Sequence, residues 1–382
     1  MDVKIFAKTV EPEAKAQIEK MAASSVGEGS KIRIMPDCHA GKGCTIGTTM
    51  TISDKVCPNL VGVDIGCGVM LVKTDIRFED RLKELDDVIR KYIPFGKNVH
   101  TTKTGSKTFF EQMWCWGELN SDTQEWALRS LGTLGGGNHF IEAYADGYLC
   151  VHTGSRNIGL SVAKHYQDKA VKAAREIEKP DLSKIEPQKR EAALLAWKGK
   201  IKKSGPDELA YLTGDDKDRY LDDSYYMNHF AYQNRFEILI KIVTAMGGRI
   251  QSRIDTKHNY IDLRTGVLRK GAVAANLWEP LVIPLNMRDG LLVCVGKGNE
   301  DWNFSAPHGA GRLYSRSQAK QRFTVEEYKT SMQGIYSTCI GEGTLDEAPF
   351  AYKDAKEIMD CIEPTVYVLD RLKPIYNFKS EN

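Results

Sequence analysis

Several short stretches gather residue types that can hold metal ions or carry phosphoryl chemistry, and each lies among glycines. Asp64-Ile65-Gly66-Cys67-Gly68 sets a carboxylate and a thiol three residues apart. Asn138-His139 follows Gly135-Gly136-Gly137, and His152 precedes Thr153-Gly154-Ser155-Arg156. His258-Asn259 and His308-Gly309-Ala310-Gly311-Arg312 complete the set. A thiolate can bridge two borderline metal ions, imidazoles suit Mn, Zn or Fe, and a carboxylate adds a harder ligand. Glycines let backbone approach such a centre closely. No pair has the His-Glu-x-x-His spacing of a metalloprotease helix. Each residue alone has a plainer reading: Cys67 as a small buried hydrophobe, Asp64 as a turn residue, a histidine after glycine as a hydrogen-bonded structural side chain. The joint pattern is what points to a metal site. No G-x-x-x-x-G-K-[ST] phosphate loop occurs. Gly132–Gly137 could cradle a phosphate through backbone N–H groups, and Arg312 beside the glycines after His308 suits an anion. His100, His165 and His229 stand in charged or helical contexts and read as structural or surface residues.

The elements that must position these residues are mixed. Ile32–Met35, Gly47–Ile52, Val69–Val72, Tyr148–His152, Leu281–Leu285 and Leu291–Val295 are short, apolar and β-branched, which predicts strands. Glu11–Met21, Glu79–Tyr92, Ser161–Lys179 and Asp223–Met246 carry apolar residues at three- and four-residue spacing, which predicts helices. Strands and helices neither alternate nor segregate, so the expected class is α+β, a mixed-sheet arrangement with peripheral helices. No boundary stands out, and residues 1–382 are read as one domain. Residues 161–206 are highly charged and read as a solvated helical excursion from that core.

Bulk properties agree with a soluble globular protein. The chain has 382 residues, 42% hydrophobic and 27% charged, outside the disordered and membrane classes. No apolar run approaches the roughly 20 residues of a membrane span, and no secretory leader is evident at the N-terminus; the expected location is cytoplasmic. Nine cysteines at irregular spacing argue for buried thiols or a metal ligand, not a disulfide framework. A net charge of +2 gives no global sign of nucleic acid, so an RNA-binding surface would have to come from local clustering.

The motifs together resemble the RtcB ligases. Met35-Pro36-Asp37-Cys38-His39-Ala40-Gly41-Lys42-Gly43 is similar to the family's opening signature, and Val61–Gly68 to its first metal motif. Leu131–Glu142, Val151–Arg156, His258–Tyr260, Arg269–Ala272 and His308–Arg312 follow in the family's order. Asp346–Pro349, Tyr352-Lys353-Asp354 and Lys379 also fit. The resemblance implies an RtcB-like fold with a deep metal-containing cleft, and an RNA ligase that uses GTP and two manganese ions. It implies metal ligation by Asp64, Cys67, His139, His152 and His258, with Cys67 bridging, and His308 as the nucleophile that takes GMP. It implies nucleotide contacts from Asn138, His139, Glu142, Asn259, Asn286, Met287, Gly309, Ala310, Gly311 and Lys379. The implied substrates are RNA 3′-phosphate or 2′,3′-cyclic phosphate ends and 5′-hydroxyl ends, in tRNA splicing or in repair of tRNA or ribosomal RNA. Pro284–Leu291 departs from the family: Asn286 and Leu291 stand where it carries serines that touch the nucleotide, and Lys257 stands in place of a histidine. The competing readings are an RNA-binding or sensing relative that takes up no GMP, and a metal-dependent RNA-end phosphodiesterase or phosphatase.

Overall fold

The computed structural model describes residues 2–41, 43–175, 180–203 and 207–380. Strands β1 to β15, numbered along the chain, form four sheets among these residues. The one that carries the chemistry is antiparallel throughout, in the order β15 (Pro374–Lys379), β5 (Phe140–Tyr144), β6 (Tyr148–Thr153), β4 (Gly68–Thr74), β7 (Ile250–Lys257). A second five-stranded sheet runs β1 (Asp2–Ile5), β2 (Lys31–His39), β3 (Ile46–Thr51), β9 (Val267–Lys270), β8 (Asn259–Asp262). The third is β11 (Pro280–Asn286), β12 (Gly290–Gly296), β14 (Val366–Leu372), and the fourth pairs β10 (Ala272–Ala274) with β13 (Ser305–Pro307).

Alternation along β4 explains the layering. Met70 and Val72 face the helix Gly214–Ala245 and pack with Ile238, Leu239, Ile242 and Val243. Val69 and Leu71 face the other way and join Phe140, Val282 and Leu291. A strand buried on both faces reads as a continuous apolar run, as Val69–Val72 does. Each such side chain contributes about 1.5–3 kcal/mol on burial, so the sheet is held from both sides.

The fold is mixed α+β, as the residues predict. The predicted strands and helices occur with shifted bounds; the last helix begins nine residues earlier than its apolar pattern, at Gly214. One expectation is corrected. Residues 161–175 are no solvated excursion: the helix Arg156–Arg175 buries Ile158, Val162, Ala163, Tyr166 and Ala170 in the main core. Its charges lie on the opposite face and mask that stripe in the sequence. The exposed part is the later segment, residues 180–198, which includes the first part of the helix Arg190–Lys203; residues 176–179 and 204–206 lie outside the described residues. Among the described residues no helix is long and apolar enough to cross a membrane.

Candidate metal centre and nucleotide cavity

Register brings the ligand candidates together. Gly68 pairs with Thr153 on one side and Lys257 on the other, while Phe140 pairs with His152. Cys67, His139, His152 and His258 therefore fall at the same end of four neighbouring strands. The Cys67 Sγ lies 3.3 Å from His152 Nε2 and 3.7 Å from His139 Nε2. His152 Nε2 is 3.4 Å from His258 Nε2, and His139 Nε2 is 3.3 Å from Asp64 Oδ2. All four of these cysteine and histidine residues are buried.

The ring nitrogens are sorted by backbone. His139 Nδ1 lies 2.9 Å from the Leu134 carbonyl, and His152 Nδ1 lies 3.0 Å from that of Asn138. A ring that donates from Nδ1 presents the Nε2 lone pair, and both Nε2 atoms face the thiol. Burial, reinforced by neighbouring histidines, holds the proton affinity of His152 and His258 well below the ordinary imidazole value. Burial pushes the Cys67 thiol up, as does the Asp64 carboxylate beside it. For Asp64 burial acts upward, but His139, Arg156 and Ser155 outweigh it and its carboxyl stays below the usual range. Neutral imidazoles at His152 and His258, a thiol that a bound cation would have to deprotonate and an ionised carboxylate form a donor set that fits a transition-metal ion.

The centre is braced from behind. Gly154 has no side chain because a Cβ there would meet the Asp64 carboxylate at 2.3 Å. Asp64 Oδ1 accepts from the Ser155 N–H at 2.9 Å. Arg235 is fully buried, forks onto Asp255 at 2.7 and 3.0 Å, and donates to the carbonyls of Gly66 and Thr153. It thus ties the segments carrying Cys67 and His152 to the long helix. Arg235→Met is expected to cost about 3–5 kcal/mol by stranding Asp255 and two carbonyls; thermal melting checks this, and metal content should fall with it.

A cavity of about 950 Å³ opens beside this centre. Of the expected nucleotide contacts it is lined by Asn138, Glu142, Asn286, Met287, Gly309, Ala310, Gly311 and Lys379, together with His152, His258 and His308. Asn259 and His139 do not line it. Asn259 instead accepts from the Gly271 N–H and donates to the Asp64 carbonyl, which sets the loop under the centre. Asp64 opens onto a separate cavity of about 500 Å³ with Lys97, Trp126 and Arg156. Leu291 is not among the residues lining this cavity: β12 sets it opposite Pro284 and Leu372, with its side chain in the apolar layer. Leu291→Ser is accordingly expected to cost about 2–5 kcal/mol in stability with no change in nucleotide choice, measured by melting and by competition binding.

Glu142 accepts from Tyr144 Oη at 2.6 Å and Asn377 Nδ2 at 2.7 Å, and burial raises its carboxyl to about 7. Lys379 Nζ lies 3.0 Å from Glu347 Oε2. Burial pushes Glu347 up, but Lys379, Arg312 and Arg316 overcome it and bring the carboxyl to about 2.

His308 sits with its ring centroid 4.8 Å from that of His258, and its Nδ1 is 2.6 Å from Asp37 Oδ2. Asp37 is wholly buried, and residue types alone give no sign of its functional weight. It lies far from His308 in the sequence, and its only signal is its place in the Met35–Gly43 motif. His39 is hidden in the same way: it lines the cavity, and burial lowers its ring to about 4.

Comparison with known proteins agrees with these features. Residues 17–380 match the family model described as tRNA-splicing ligase RtcB. The chain is 30% identical to the RNA-splicing ligase RtcB of Escherichia coli (strain K12), covering 98% of this chain and 96% of that protein. It is 27% identical to the tRNA-splicing ligase RtcB of Methanococcus maripaludis, covering 85% and 82%. It is 26% identical to that of Aeropyrum pernix, again covering 85% and 82%. With a family match over almost its whole length, and a thiol–imidazole cluster beside a large cavity, the chain belongs to the RtcB family of RNA ligases.

Proposed function

We propose that this protein joins RNA 3′-phosphate or 2′,3′-cyclic phosphate ends to 5′-hydroxyl ends through a histidine–GMP intermediate, as a cytoplasmic enzyme of tRNA splicing or RNA repair. The observation that carries the reading is the His308–Asp37 pair at 2.6 Å, set beside His258 at the wall of the cavity. A carboxylate on Nδ1 keeps the proton there and leaves Nε2 with a free lone pair, the arrangement a nucleophilic imidazole needs. Asp64, Cys67, His139, His152 and His258 would hold two manganese ions, which when bound would offset triphosphate charge and orient it for in-line displacement.

His308 Nε2 then attacks the α-phosphorus of GTP; the N–P bond forms and pyrophosphate leaves. Asn138 and the Gly309–Gly311 backbone face the phosphates, while Glu142 and Lys379 face the base. An RNA 3′-phosphate oxygen attacks the same phosphorus, and His308 departs with its Nδ1 proton still shared with Asp37. The 5′-hydroxyl attacks the activated 3′-phosphate and GMP leaves. A 2′,3′-cyclic phosphate is opened by water beforehand. Mass spectrometry after incubation with GTP and manganese tests the first step, with one GMP per chain expected. Ligation of 3′-phosphate to 5′-hydroxyl RNA, against 3′-hydroxyl and 5′-phosphate controls, tests the rest. A protein that ligates no RNA and gains no GMP overturns the reading.

Base choice supplies a pH prediction. Guanine presents N1 and N2 donors, which an ionised Glu142 accepts on both oxygens, whereas a protonated one turns one oxygen into a competing donor. Because Glu142 titrates near 7, GTP affinity should rise as pH goes from about 6 to about 8, by up to about tenfold. Glu142→Gln should bind weakly with a flat profile. Equilibrium binding across that range checks both.

A further inference from the structure

Lys353 is almost wholly buried, at 4% exposure, yet no carboxylate lies within ion-pair distance among the described residues. Its ammonium donates to three backbone carbonyls: Pro36 at 2.9 Å, Cys38 at 3.1 Å and Thr9 at 3.3 Å. Pro36 and Cys38 are the two neighbours of Asp37, so the side chain grips the strand on both sides of the residue that holds His308. The backbone of Lys353 completes the grip, since its N–H donates to the Gly311 carbonyl at 3.0 Å. Gly311 has φ +74° and lies so close to Asp37 that a Cβ would meet the Asp37 carbonyl oxygen at 2.2 Å. One residue thus connects the strand before His39 to the turn after His308.

Burying an ammonium is costly, and three carbonyls satisfy its donors without neutralising its charge. Asp37 is buried too, with one oxygen on His308 and its Oδ1 lacking any hydrogen-bond partner. A cation fixed against the backbone on either side of Asp37 places positive charge close to that residue, charge that also acts on the Glu11 carboxylate. We propose that Lys353 is a positioning residue for guanylylation: it fixes Asp37 in place and balances its charge, so that Asp37 presents His308 with Nε2 free. The proposal rests on the guanylylation reading above.

The test is single-turnover adduct formation by the full-length, manganese-loaded chain, with GTP affinity measured separately. Lys353→Met should slow adduct formation about a hundredfold, the scale expected when a reacting group is displaced by about 1 Å. GTP affinity and manganese content should be unchanged, a split that general loosening of the fold would not produce. In an Asp37→Asn background the same change should add no more than about threefold, because Lys353 acts through Asp37. Lys353→Gln keeps donors but loses the charge; it should be slowed less than Lys353→Met, and it decides the matter if the methionine variant does not fold. Unchanged rates, fully multiplicative effects with Asp37→Asn, or a loss confined to GTP affinity would overturn the positioning role. An adduct absent from the unaltered chain, or mapped to a residue other than His308, overturns the guanylylation reading instead, so the two failures are distinct.

Discussion

His308→Ala is expected to abolish the covalent GMP adduct while leaving the metal content intact. The ring is one of several imidazoles in and beside the cavity, and among the described residues it is the one whose Nδ1 pairs with a buried carboxylate. His139 and His152 give theirs to backbone carbonyls, which orients a ligand without adding charge behind it. A carboxylate behind a reacting imidazole steadies the tautomer and the positive charge that develops on attack. Asp37→Asn should therefore retain the nucleophile yet slow adduct formation by about 10²–10⁴-fold. The alanine variant strands Asp37 in the interior, and about 1–3 kcal/mol of stability should go with it. Intact-mass measurement followed by peptide mapping checks the adduct, with metal analysis of the same samples. An adduct surviving in His308→Ala would move the chemistry to another residue.

Cys67→Ala should remove bound manganese almost entirely. The thiol is the common neighbour of His139 and His152 and, among the described residues, the one sulfur in the cluster. Losing even an outer partner of a metal ligand weakens binding about 10–100-fold, so loss of a thiol that would serve as a direct ligand should exceed about a hundredfold. His100→Ala is the control: that ring lies on the Gly132 carbonyl, away from the cluster, and its loss should leave metal unchanged. Because the thiol must shed a proton whose release burial opposes, manganese affinity should also rise with pH, as ligand deprotonation requires. Two metals per chain retained in Cys67→Ala would refute the ligand assignment.

Much of the site is legible in residue types. Asp64, Cys67, His139, His152 and His258 stand out by their glycine-rich settings, and the sheet register places Cys67 and the three histidines at one end. Asp37 and Lys353 cannot be found that way, because each acts through a contact that only tertiary structure creates. Both lie within family motifs, but a motif gives no direction in space. The most legible strands are those buried on both faces, such as β4 and β12, whose apolar runs are continuous. β7 is hidden because Gln251, Ser252 and Arg253 are exposed and break the pattern. β14 is hidden for the same reason, with four consecutive exposed residues. Motif alignment likewise says nothing about which face of a strand Leu291 occupies.

The sheet β15-β5-β6-β4-β7 also dictates when the enzyme comes into being. Its strands are drawn from widely separated parts of the chain, so its ligands meet only through contacts between distant segments. Such long-range pairings form slowly. During synthesis, Cys67, His139 and His152 emerge well before His258, the nucleophile follows later, and β15 comes after both to seal the edge beside β5. A chain stopped before His258 therefore lacks one of the proposed metal ligands and the proposed nucleophile, and has no β15 to cover the edge of β5. The site is thus completed by its last-made strands, whatever order its first ones fold in.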